Sequence, residues 1–86
     1  MITDDEPADV RAFVLLNVEI GLEKKMMDEM KAIPEGKEAH RLYGVYDIFA
    51  RMESDTMLNL KDAISRIRQL EKVRSTLTMI VTNVIA

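Results

Sequence analysis

The sequence predicts an α+β fold, a four-stranded antiparallel sheet with two helices on one of its faces. Three observations carry this. Residues 12–20 and 75–85 alternate in the period-2 manner of strands. Apolar residues recur at spacings of three and four in two stretches, from Leu22 to Ile33 and from Leu60 to Leu70. A second pair of strand-like runs flanks Gly44, which gives the order strand, helix, strand, strand, helix, strand.

In the first strand, Ala12, Val14, Leu16, Val18 and Ile20 form one wholly apolar face, and Phe13, Leu15, Asn17 and Glu19 the other, apolar early and polar late. Gly21 ends it. In the helix that follows, Leu22, Met26, Met30 and Ile33 form a stripe able to cover that strand, and Pro34 and Gly36 close it. Residues 38–53 read as two strands, with Tyr46, Ile48, Ala50 and Met52 on one face of the second. Ser54 and Asp55 offer an N-cap for the next helix, whose core stripe is Leu60, Ile64, Ile67 and Leu70. Arg66, Arg68 and Lys72 load its C-terminal end with positive charge, which suits the helix dipole. The last strand places Leu77, Met79 and Val81 on one side and Thr76, Thr78, Ile80, Thr82 and Val84 on the other.

Such a sheet leaves one face without helices. Phe13, Leu15, Val45, Phe49, Ile80 and Val84 are expected there, and the sheet of a second subunit is the natural cover. Size argues the same way. Eighty-six residues, 48% of them hydrophobic, make one small domain that buries too little surface to be more than marginal alone. A homo-oligomer, at least a dimer, is therefore expected.

Charge and composition exclude several function classes. Four of the 15 acidic residues, Asp4, Asp5, Glu6 and Asp9, fall in the first nine positions. Residues 1–10 read as an acidic disordered tail, and 11–86 as one domain. The remaining 11 acids face 12 bases, and that near-neutral body disfavours a nucleic-acid surface. There is no Cys, hence no disulfide, thiolate metal site or cysteine nucleophile. With neither a signal peptide nor an apolar run near the ~20 residues of a membrane span, the expected location is the cytoplasm.

The candidate sites are few. His40 is the only His. Asp47, three residues after Gly44, is either a turn carboxylate bonded to backbone N–H groups or a receptor for a ligand's ammonium. Thr76, Thr78 and Thr82 are good strand residues whose hydroxyls could line a cleft. Lys61, Arg68 and Lys72 fall near one helix face, diluted by Asp55, Asp62 and Glu71, and read as solvated. No phosphate loop and no paired-carboxylate or metal constellation is present, so neither cofactor nor metal is expected.

The segment Glu38-Ala-His-Arg-Leu-Tyr-Gly-Val-Tyr-Asp-Ile-Phe-Ala-Arg-Met-Glu-Ser-Asp55, with its Gly-x-Tyr-Asp element at Gly44, Tyr46 and Asp47, resembles the central signature of the effector-binding domain of the Lrp/AsnC transcriptional regulators. That domain is also called RAM, for regulation of amino-acid metabolism. Val73-Arg-Ser-Thr-Leu-Thr-Met-Ile-Val81 resembles the family's closing strand, and the likeness runs from about Ala12 to Val84. The resemblance implies a ferredoxin-like βαββαβ fold paired as a dimeric α+β barrel, often built up to octamers, with amino-acid effectors bound between dimers. By the same likeness Gly44, Tyr46 and Asp47 border the effector cleft, with Thr76 and Thr78 as polar contacts. Two departures stand out. With the first strand near residue 12, there is no room for the family's DNA-binding domain, so a stand-alone effector domain is expected, one that co-assembles with a full-length regulator. Gly36-Lys37 and Tyr43 also replace the family's usual apolar residues and Thr, and the bulk of Tyr43 is expected to reshape the cleft. The competing class is a small cofactor-free enzyme, a monooxygenase or isomerase of the dimeric α+β barrel type, for which His40, Asn17, Asp47 and Arg51 are the candidate groups.

Overall fold

The computed structural model describes residues 10–70 and 72–81. Strand β1 (Val10–Val18) is followed by helix α1 (Glu23–Ala32), strands β2 (Gly36–Arg41) and β3 (Ile48–Ser54), helix α2 (Met57–Arg68) and strand β4 (Val73–Val81). The expected tail lies outside the described residues except for Val10, which already belongs to β1.

All strand pairs are antiparallel and the sheet order is β2-β3-β1-β4, so β1 and β3 are central and β2 and β4 are edges. Ala12, Val14 and Leu16 of β1 are completely buried. They pair with Met52, Ala50 and Ile48 on one side and with Ile80, Thr78 and Thr76 on the other. These residues form the helix-covered face. α1 lies chiefly over β2, and α2 over β3, β1 and β4. Met26 and Met30 enter the core from α1, and Leu60, Ala63, Ile64 and Ile67 from α2. This is the ferredoxin-like βαββαβ architecture.

Local chemistry sets the joints. Gly21 turns the chain out of β1 at φ +91°, a left-handed conformation that any side chain would strain. No side chain caps α1 at Leu22; instead Oε1 of Glu23, in the first turn, accepts from the N–H of Gly21 at 3.1 Å. At the other end Ile33 is extended and the chain reverses sharply, so that a Cβ on Gly36 would overlap the Met30 carbonyl oxygen. Helix α2 begins one residue later than expected. Its cap is Thr56, whose Oγ1 accepts from the Asn59 N–H at 3.1 Å, and not Ser54 or Asp55. The reason is that β3 continues through Ser54, opposite Val10, leaving Thr56 as the first residue positioned to turn.

The uncovered face also differs in detail from expectation. Ile80 sits on the helix side, opposite Ala12, because the β4 register follows that of β1. Val45 lies in the β2–β3 loop rather than in a strand, and Val84 is outside the described residues. Leu77 and Met79, opposite Leu15 and Phe13, take their place and are 43% and 46% exposed.

Two substitutions test this account. Ile67→Ala should destabilise by about 2–5 kcal/mol through the cavity it leaves between α2 and the sheet, measured by urea unfolding. Gly36→Ala should also destabilise, because the obstacle is backbone and cannot move aside, whereas Gly44→Ala should be nearly neutral, since a Cβ there meets nothing within 4 Å.

Candidate functional site

The loop joining β2 and β3, residues 42–47, stands at the end of the sheet where β1 finishes. The Leu42 N–H donates to the Asp47 carbonyl at 2.8 Å, closing the loop. Asp47 then fastens it to β1. Its N–H donates to the Leu16 carbonyl at 2.8 Å, and its Oδ2 accepts from the Val18 N–H at 3.0 Å. The carboxylate stands where a further strand residue would have offered a carbonyl, so the β1–β3 ladder is prolonged past Ile48 by a side chain. Beyond this clamp Gly44 is exposed at the crest, Tyr43 and Val45 project into solvent at 104% and 85% exposure, and Tyr46 is half-buried.

Thr76 and Thr78 lie elsewhere. Both are half-buried on the helix side of β4. Thr76 pairs with Leu16, the same residue that Asp47 grips from the opposite side, so the two flank β1 about two strand spacings (roughly 9–10 Å) apart. Thr78 is one pair deeper and lines a groove of about 350 Å³ between β4 and α2, together with Lys61, Ile64, Ser65, Arg68 and Ile80. Within one protomer the five expected ligand-binding residues thus occupy a loop crest, a strand end and a groove wall, and do not converge on one point.

The uncovered sheet face is half apolar and half ionic. Phe13 and Phe49 stack with ring centres 5.7 Å apart, and His40 stacks on Phe49 at 6.2 Å. Leu15, Leu77, Met79 and Val81 adjoin them by register. On the remaining part Arg51 donates through Nε to Glu38 at 2.7 Å and through its terminal nitrogen to Glu53, which also lies 3.5 Å from the Arg11 Nε. The Arg11 Nε is enclosed yet has no hydrogen bond of good geometry. The hydrogen bond from Arg51, then that with His40, holds Glu38 below the usual carboxylate value of 4.5, and Glu38 in turn raises Arg51.

The groups considered for catalysis are each engaged structurally. His40 bonds Glu38 at 3.2 Å, the Asn17 amide donates to the Ser75 hydroxyl at 3.0 Å, Arg51 serves the ionic cluster and Asp47 the strand clamp. Among the described residues no three His, Cys, Asp or Glu side chains group as metal ligands, and no helix is long and apolar enough to cross a membrane.

Residues 11–86 match the family model of the Lrp/AsnC ligand binding domain. The chain belongs to this family. Among solved structures it is similar to hypothetical protein PHS023 from Pyrococcus horikoshii, at 37% identity and a TM-score of 0.81 over 86% of this chain and 90% of that one. It is equally similar to FFRP-DM1, at 38% identity and 0.80 over 84% and 97%. Escherichia coli AsnC shares the fold at 22% identity and 0.79, with 96% of this chain covering 60% of that regulator. No curated protein matches the chain. The Lrp/AsnC chain is a regulatory ligand-binding module by family and fold.

Two features of this Lrp/AsnC domain escape sequence reading. The Arg11–Glu53–Arg51–Glu38–His40 cluster depends on cross-strand register, although Glu38 and His40 do share a parity. The groove beside α2 was signalled only by the spacing of Lys61, Ser65 and Arg68, which places all three on one helix face. Lys72, grouped with Lys61 and Arg68 by sequence, instead pairs with Glu19 at 3.5 Å.

Asp47→Ala should destabilise by about 1–3 kcal/mol, because it strands the Val18 N–H, while Asp47→Asn, which keeps an oxygen acceptor, should retain most of that stability in urea unfolding. The Glu38 pairing has a defined sign. A carboxyl held below its unfolded value contributes stability that is full above about pH 4.5 and is lost as pH falls through the folded value. Glu38→Gln should therefore flatten the decline of the unfolding midpoint below pH 4.5 and lower the midpoint slightly at neutral pH.

Proposed function

We propose that the protein is a cytoplasmic sensor of small amino-acid effectors which assembles through its uncovered sheet face and acts by binding rather than catalysis. The observation that carries this reading is the combination of family membership with a hairpin whose crest glycine the protomer itself does not require. Gly44 has no positive φ and no crowding neighbour, so nothing inside the chain demands glycine there. Such a crest suits close approach by a ligand or a second protomer.

Gly44, Tyr46 and Asp47 border the effector cleft in this proposal, with Thr76 and Thr78 as polar contacts contributed across an assembly interface. The second oxygen of Asp47 faces the effector's ammonium, and the hydroxyls and loop N–H groups take its carboxylate. Because these groups are spread over one protomer, the complete cleft forms only where copies meet. The assembly is a homodimer through Phe13, Leu15, Phe49, Leu77 and Met79, extended as far as an octamer. The near-neutral body supports signalling through a partner protein, a full-length Lrp/AsnC regulator joined in a mixed assembly, without direct nucleic-acid contact.

Thermal unfolding at fixed protein concentration, against single amino acids, tests the sensing function. An effector at 100 times its dissociation constant should stabilise by about 2.7 kcal/mol, and each kcal/mol raises the midpoint by roughly 4–8 °C at this size. The expected result is a shift confined to a few amino acids and lost in Gly44→Ala, which leaves the free protomer undisturbed. A flat panel would reject the reading. Self-association is tested separately: Leu77→Asp should weaken the dimer at least tenfold in sedimentation equilibrium, since it places an uncompensated charge in the buried face.

A further inference from the structure

The groove between α2 and the free side of β4 has no part in the reading above beyond sharing Thr78, and its chemistry is distinctive. Its floor is apolar, formed by Ile64, which is 6% exposed, and half-buried Ile80. Two hydroxyls stand over that floor, Ser65 from the helix and Thr78 from the strand. The Ser65 oxygen already accepts from the Gln69 amide at 3.4 Å, which leaves its own proton free to donate. A cation stands at each end, Lys61 and Arg68.

Of the nearby cations, Arg66 pairs with Glu35 and Asp62 and Lys72 with Glu19, while Arg74 lies further along β4 and does not line the groove. Lys61 and Arg68 have no carboxylate partner among the described residues. They are seven residues apart on the helix, about 10 Å along its axis. A compact anion drawing both side chains together would leave the apolar floor uncovered. An elongated molecule with a carboxylate at each end can satisfy both cations, with its hydrocarbon middle on Ile64 and Ile80 and one oxygen accepting from Ser65 or Thr78.

We propose that this groove is a second binding site, for a linear dicarboxylate of about five to seven carbons. The Arg68 guanidinium grips one carboxylate through paired N–H donors, and Lys61 meets the other as a point charge. The volume of about 350 Å³ lies at the small end of ligand pockets and fits a ligand of this length.

The probe is adipate, titrated into isotope-labelled protein at constant ionic strength, with hexanoate and inorganic phosphate as comparisons and amide and methyl shifts as the readout. The expected result is a saturable change centred on Lys61, Ile64, Ser65, Arg68, Thr78 and Ile80, with adipate binding on the order of tenfold more tightly than hexanoate. Lys61→Gln with Arg68→Gln, both on the exposed face of α2, should abolish the change while leaving the remaining spectrum intact. Absence of saturation, an equal response to phosphate, or persistence in the double variant would each overturn the proposal. Changes centred on Gly44 and Asp47 would overturn it as well, and would place the dicarboxylate in the effector cleft. The amino-acid panel reads that cleft independently, so either site can fail without the other.

Discussion

A four-stranded sheet with helices on one side has a second side, and in this chain that side is built from Phe13, Leu15, Phe49, Leu77 and Met79. The constraint shapes the whole molecule. Ala12, Val14 and Leu16 reach zero exposure because α2 presses on them. Their alternating neighbours in β1 are only half-buried, screened by one another. At this size the protomer cannot waste apolar surface, and two stacked phenylalanine rings with exposed Leu and Met beside them form a face suited to a matching face. The ionic cluster on the β2–β3 side limits how such faces can pair. Arg51 and Glu53 are mutually satisfied, while the Arg11 Nε is enclosed with no good acceptor, so a partner able to offer one is favoured over one that is not.

The same constraint bears on where the proposed ligand chemistry can sit. In the proposed assembly one face serves the core and the other the partner copy, and ligand chemistry is left to the sheet's ends and edges. Asp47 makes the end rigid by prolonging the β1–β3 ladder with its carboxylate, so that Gly44 and Tyr46 are carried on a loop tied to the central strand. The β4 edge, beside α2, supplies a concavity with Lys61 and Arg68 on its rim.

Most of the fold was legible because its signals are local. Alternation in Ala12–Val18 and in Ile48–Met52, and the Leu60, Ile64, Ile67 stripe, each reports a face without reference to another element. What was not legible depends on pairing. Ile80 shares parity with Thr76 and Thr78, but whether that parity meets helix or solvent is decided by its register against Ala12. The cap moved from Ser54 and Asp55 to Thr56 because β3 ran longer than its apolar pattern required. At the site, Asp47 stood out by its place three residues after Gly44, and its Oδ2 makes the backbone contact that a turn carboxylate would make. The separation of Thr76 and Thr78 between a strand end and a helix groove could not be read from two residues that alternate on one face.

The central claim is that the uncovered sheet face is closed by a second copy of the chain. The most direct measurement is the broadening of methyl signals by a water-soluble paramagnetic probe at high protein concentration. Leu58, 78% exposed on α2, and Leu60, fully buried in the core, provide the two extremes. The account predicts that Leu77 and Met79 are shielded like Leu60 and become accessible on dilution. Broadening of Leu77 and Met79 to the level of Leu58 at every concentration would contradict it.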